Sequence, residues 1–127
     1  MGWGASAGGG LVKRLTAISG TRTAGATIVS DWVDADEFNE LIAWLDVTAF
    51  AARADETLVV TVERQADNTA GYTTIATFTT IDTTGAHSEE KTVTELIGGK
   101  VRFRAVLAGT WDEKSITFTC KLMLKSA

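Results

Sequence analysis

The chain has 127 residues, 45% of them hydrophobic and 22% charged, with a formal net charge of −4. This composition fits one globular domain with its own core and excludes a disordered polyelectrolyte. The acidic balance argues against a broad nucleic-acid surface, which needs clustered Lys and Arg to displace counterions. A single cysteine excludes an intrachain disulfide, and no apolar run approaches the ~20 residues that span a bilayer, so no membrane partner is expected.

The chain opens with MGWGASAGGG. Small, glycine-rich residues cannot bury enough surface to offset their ordering entropy, so residues 1–10 are expected to form a flexible arm, and 11–127 the folded domain. With no charged n-region and no long apolar stretch, the arm does not read as a signal peptide. Trp3 is its one bulky side chain and a candidate anchor for a partner surface.

There is no proline, so turns fall to Gly, Asn, Asp and Thr. LVKRLTAIS predicts a strand, SGTRTAG a loop and ATIVSDWV a second strand. DADEFNE is an acidic connection with room for a helical turn. A helix over EFNELIAWL is conceivable, but NELIAWLDVT reads better as a strand, with Leu41, Ala43, Leu45 and Val47 on one face and Ile42 and Trp44 on the other. After the loop AFAARADE, ETLVVTVERQ turns Leu58, Val60 and Val62 inward and Thr61, Glu63 and Gln65 outward. ADNTAGY is a turn and GYTTIATFTTI the returning strand. DTTGAHSEEK reads as a polar loop leading to KTVTEL.

The last two strands alternate strictly. KVRFRAVLA sets Val101, Phe103, Ala105 and Leu107 against Lys100, Arg102 and Arg104. SITFTCKLML sets Ile116, Phe118, Cys120, Leu122 and Leu124 against Thr117, Thr119 and Lys121. A one-residue slip would put Phe103 and Phe118 in water, so the alternation pins register. About eight short strands with turns every 8–12 residues and almost no helical period define an all-β antiparallel sandwich or jelly roll.

Chemistry is sparse. The only histidine, His87, is placed in a solvated loop, and its neighbour Ser88 points the other way in extended chain, so no nucleophile–base pair forms. One Cys and one His exclude the usual zinc sets. Asp31, Asp34, Asp36 and Glu37 supply oxygen donors without the EF-hand spacing, and capping of a short turn is the better reading. The glycines of AGGG and IGGK lack the strand, Lys-Ser/Thr and helix of a phosphate loop. No metal, cofactor or enzymatic activity is expected. Cys120 lies in an apolar face as a small core residue, and with no further cysteine a reducing cytoplasm is the simpler site of assembly.

Recognition residues remain. Arg102 and Arg104 share a wet strand face with Lys100 and could meet an acidic partner. Trp111, in the loop GTWDEK, is expected to be exposed and available to an interface. Trp44 is expected in the core. Trp32, Trp44 and Trp111 could form a stacking platform for a carbohydrate, and with Trp44 in the core the platform rests on Trp32 and Trp111.

The stretch LIAWLDVTAFAARADETLVVTVERQADNTAGYTTIATFTT, followed by GGKVRFRAVLAGTWDEKSITFTCKLML, resembles small β-sandwich virion proteins of tailed bacteriophages, over about Leu11 to Leu124. The charged, Trp-bearing GTWDEK turn departs from the small polar loop expected there. The resemblance implies a non-enzymatic head decoration or auxiliary protein on the capsid surface, assembled in the bacterial cytoplasm. Its implied partners are the major capsid protein and copies of itself, as a homotrimer. Trp3, Trp111, Arg102 and Arg104 are the candidate contacts. A carbohydrate-binding module and a tail or head–tail joining subunit are the alternatives.

Overall fold

Two-residue alternation decides which way each strand faces, and long-range pairing decides its neighbours. The computed structural model describes residues 11–51, 54–67, 69–96 and 98–126. They form β1 (Val12–Arg22), β2 (Ala26–Val29), β3 (Val33–Asp34), β4 (Glu40–Ala51), β5 (Thr57–Gln65), β6 (Thr73–Thr77), β7 (His87–Val93), β8 (Lys100–Ala108) and β9 (Ser115–Lys125). One sheet has the order β1-β9-β4-β7. The other has the order β2-β8-β5-β6, with the two-residue β3 continuing the β2 edge along β8. All pairings are antiparallel.

The pairs nest: β5 lies beside β6, β4 beside β7, β2 beside β8 and β1 beside β9. The chain is therefore a long hairpin whose tip is the turn between β5 and β6. Wound on itself, that ribbon also brings β4 against β9 and β5 against β8. With β2 and β3 taken as one interrupted edge, this is an eight-stranded jelly roll.

The core is made of the residues that alternation turns inward. Leu41, Ala43, Leu45 and Val47 of β4, Leu58, Val60 and Val62 of β5, Val101, Phe103, Ala105 and Leu107 of β8, and Ile116, Phe118, Cys120, Leu122 and Leu124 of β9 are all buried. Burial alone pushes the Cys120 thiol up to about 12, which keeps it protonated and unreactive at neutral pH.

Several segments depart from expectation, among them SGTR, which was expected in a loop and continues β1 to Arg22. DADEFNE forms a turn without a helix. The predicted loop HSEEK is strand: β7 pairs along β4, with His87, Glu89, Lys91 and Val93 opposite the core residues Val47, Leu45, Ala43 and Leu41. Its core-facing row lies at the sheet edge and is mostly polar, so it carries no apolar alternation to read. His87 is half-buried, and its Nε2 lies 2.8 Å from the Thr83 carbonyl oxygen. Trp44 is half-buried on the outer face of the four-stranded sheet and takes no place in the core.

The entry to β8 depends on glycine. Gly99 has φ +84°, and a Cβ there would run into the Gln65 carbonyl oxygen. Its N–H donates to Asp36 Oδ1 at 2.9 Å and its carbonyl accepts from the Ala35 N–H at 2.8 Å. Gly99→Ala should therefore destabilise the fold by about 2–3 kcal/mol. The measurement is a lower urea midpoint at unchanged slope. Gly71→Ala, where nothing lies within 4 Å, should change stability by less than about 0.5 kcal/mol.

Candidate functional site

On β8, alternation sends Arg102 and Arg104 to the outer face of the sheet, and on the neighbouring β5 it sends Glu63 to the same face. Glu63 Oε1 accepts from Arg102 Nε and Oε2 from Arg104 Nε, each at 2.9 Å. The carboxylate is only 2% exposed. Desolvating a carboxylate costs several kcal/mol, and two charge-assisted hydrogen bonds offset that cost. The Glu63 bond also holds Arg104 above its usual value, against desolvation. Two guanidiniums against one carboxylate leave the cluster with one positive charge.

Two rings cover it. The edge strand breaks between β2 and β3, where the Ser30 N–H donates to the Phe103 carbonyl oxygen and Ser30 Oγ accepts from the Phe103 N–H. Trp32 lies in that break, its ring centroid 4.2 Å from Arg102 Cζ. Tyr72, just before β6, lies 4.9 Å from Arg102 Cζ and 5.6 Å from Arg104 Cζ. The Tyr72 hydroxyl accepts from Arg104 Nη2 at 2.8 Å. The two rings are tilted at 58° with centroids 6.3 Å apart. Such cation–ring contacts contribute about 0.5–2 kcal/mol each, more as water is excluded. Tyr72 stays 47% exposed and Val29, beside Arg104 on the same face, 44%. The result is a rigid surface of two rings, an aliphatic side chain and a fixed cation.

Arg102 and Arg104 were expected on a wet face, and they lie on the outer face. They are not a solvated stripe, because Glu63, Trp32 and Tyr72 engage them. Glu63 was expected outward and is on the outer face, but buried. The pairing of β5 with β8, which the sequence does not show, sets Glu63 opposite Arg102.

Trp111 corrects an expectation of exposure. It is 5% exposed, stacked on Phe50 at 5.7 Å and 14°, and its Nε1 donates to the Ala108 carbonyl oxygen at 3.0 Å. GTWDEK is a packed corner. Gly109 has φ +100°, and a Cβ there would come within 2.8 Å of the Asp55 carbonyl oxygen and the Glu56 Cα, so the turn needs glycine. Asp55 Oδ1 accepts the Thr110 N–H, and Lys114 lies 3.7 Å from the buried Glu56 carboxylate. Trp32 and Trp111 therefore belong to separate clusters and form no joint sugar platform. Trp3 and the arm 1–10 lie outside the described residues.

The acidic run before β4 binds backbone. Asp34 Oδ1 accepts the Asp36 N–H, and Asp36 accepts that of Gly99, each at 2.9 Å. Among the described residues no group of three or more His, Cys, Asp or Glu side chains is placed to hold a metal ion. No helix among them is long and apolar enough to cross a membrane.

No protein-family model matches the chain, and neither does any curated protein. Solved structures do match. A structure of the Gx strain of infectious bursal disease virus aligns over 91% of this chain with a TM-score of 0.59 at 14% identity. The VP2 subviral particle of infectious bursal disease virus aligns over the same share with a TM-score of 0.52 at 14% identity. The chain spans about a third of the length of each, 32% and 33%. A Bacillus endospore appendage protein aligns over the whole of both chains at a TM-score of 0.47 and 12% identity, too distant to carry an argument. The class is thus an all-β jelly-roll sandwich, and its fold is similar to one found in a viral capsid protein.

Two outcomes follow from the charges. Glu63→Ala leaves two half-buried guanidiniums without their carboxylate and should cost about 2 kcal/mol. It should also release Tyr72, read as a change in tyrosine emission. The second is an acid transition. The Gly99 N–H holds Asp36, and the Thr110 N–H holds Asp55, below the usual carboxylate value. Burial pushes Glu89 up, but the Thr79 N–H and Lys91 outweigh it and bring it below its usual value. Lowered carboxylates contribute stability above their unfolded values, about 3.9 for Asp and 4.3 for Glu, and lose it as pH falls through the folded values. Asp67, hydrogen-bonded to Asp36 and facing its charge, is raised and works the opposite way. The melting temperature should hold down to about pH 4 and fall below it, with a shallower fall in Asp55→Asn.

Proposed function

We propose that the chain is a non-enzymatic structural protein of a tailed-bacteriophage virion, a decoration protein that stabilises the capsid by burying many weak contacts across a symmetric lattice. One observation carries the reading: the nested jelly-roll order together with the likeness to a viral capsid protein over 91% of the chain. A fold alone does not define a function. Support from the surface is that Trp, Tyr and Arg, the residues enriched at interface centres, stand here together and already immobilised. A face ordered before binding loses little side-chain entropy on docking.

In this reading Arg102 and Arg104 make contact through the side of the cluster open to solvent, with Tyr72 and Val29 around them. Trp3 anchors the arm on a neighbouring subunit or the shell. Trp111, buried against Phe50, leaves the contact set and holds a corner. The partners are the major capsid protein and two further copies of the chain. The protein sits on the capsid surface after assembly in the bacterial cytoplasm. Repetition over the lattice raises avidity well beyond the affinity of a single copy.

Size-exclusion chromatography with light scattering, with and without residues 1–10, tests the oligomer. Co-sedimentation with shells of the major capsid protein from the same genome tests the partner. A trimer that co-sediments saturably is expected. Deleting residues 1–10 should weaken capture without changing the melting temperature, and Arg104→Glu should weaken it at least about tenfold. A ring of higher order would move the protein to the tail or neck. A chain that neither assembles nor co-sediments would end the reading.

A further inference from the structure

The outer face of the four-stranded sheet carries a second, differently built site. Register places Glu90, Trp44 and Lys121 in one row across β7, β4 and β9, and Ser88, Asp46 and Thr119 in the next row on the same face. Five of the six positions are polar and the sixth is an indole. These six side chains line a groove of about 580 Å³, within the usual size of small-molecule sites. A second groove of about 300 Å³ runs along the other flank of Trp44, lined also by Arg14, Thr16 and Lys121. The indole therefore stands as a ridge between two grooves.

The polar groups are oriented. Trp44 Nε1 donates to Glu90 Oε1 at 2.7 Å, so the polar handle of the ring is taken within the sheet, and what it has left to offer is its apolar surface. Ser88 Oγ donates to Asp46 Oδ1 at 2.9 Å, which fixes that carboxylate and leaves its second oxygen as an acceptor. Lys121 is exposed and forms no ion pair among the described residues. A row spacing of about 6.8 Å along the strands and about 4.8 Å between them sets these groups on the scale of one pyranose ring.

We propose that this groove binds a neutral saccharide, with one pyranose ring packed by its C–H face against Trp44 and its hydroxyls bonded by Asp46, Thr119 and Lys121. The mixed fence decides between ligand classes. A cation would meet the Lys121 ammonium, and an anion would meet Asp46 and Glu90. A polyol both donates and accepts, and its ring has an apolar face for the indole. An apolar peptide would leave the fixed carboxylate and ammonium without partners. The site is independent of the arginine cluster, which belongs to the other sheet.

The full 127-residue chain is titrated with cellobiose, maltose, lactose and chitobiose while its tryptophan indole N–H resonances are followed by NMR. The Trp44 signal is the one missing in Trp44→Phe. At least one disaccharide should shift it saturably with a midpoint of about 1–10 mM, as suits a shallow site, while the Trp32 and Trp111 signals stay in place. Asp46→Asn and Lys121→Ala should each raise that midpoint at least fivefold with the melting temperature unchanged. If none of the four sugars moves the Trp44 signal at about 50 mM, or if the shift survives both substitutions unchanged, the proposal is overturned. No capsid is used, so failure here is separate from failure of the virion reading.

Discussion

The pairing of β1 with β9, across nearly the whole chain, closes the structure. Every other pairing lies inside it. Closing so long a loop has an entropic cost that grows only slowly with length, and the opposed apolar rows of β4, β5, β8 and β9 offset it. These four central strands carry most of the buried side chains. The edges are then free to be polar, irregular and short.

How the edges are handled bears on assembly. An open strand edge invites pairing with another copy, and charges placed on its core-facing side oppose that pairing. In the four-stranded sheet both edges carry such charges. β7 sets Glu89 and Lys91 opposite core residues of β4, and β1 sets Lys13 and Arg22 opposite Leu124 and Ile116 of β9. β1 also has a register shift between Thr16 and Ile18 that breaks its regular edge. Strand addition on this sheet is therefore disfavoured, and recognition is left to the faces.

The inward faces of the central strands were legible because a period of two, held over nine or more residues, admits one register. Phe103 and Phe118 follow it without exception. Neighbours were not legible, since alternation says which way a side chain points and nothing of the strand beside it. HSEEK was missed because a core-facing position at a sheet edge can be polar. Trp111 was misplaced because its burial depends on Phe50, Ala108 and the Gly109 turn, brought together only by folding. The burial of Glu63 needs Trp32 and Tyr72, which come from separate parts of the chain. Site residues were thus half-visible: their face could be read, and their partners could not.

The two outer faces divide the chemistry between them. On the five-stranded sheet a buried carboxylate fixes two arginines beneath two rings, and the surface it presents is stiff, cationic and partly apolar. On the four-stranded sheet one indole stands among donors and acceptors, beside space of small-molecule size. The first suits a broad partner met as a surface, where preorganisation and repetition replace single-site affinity. The second suits a small ligand with an apolar face and a hydroxylated rim. A sandwich can carry both because its core separates the two faces, so a substitution on one leaves the register, and hence the geometry, of the other unchanged.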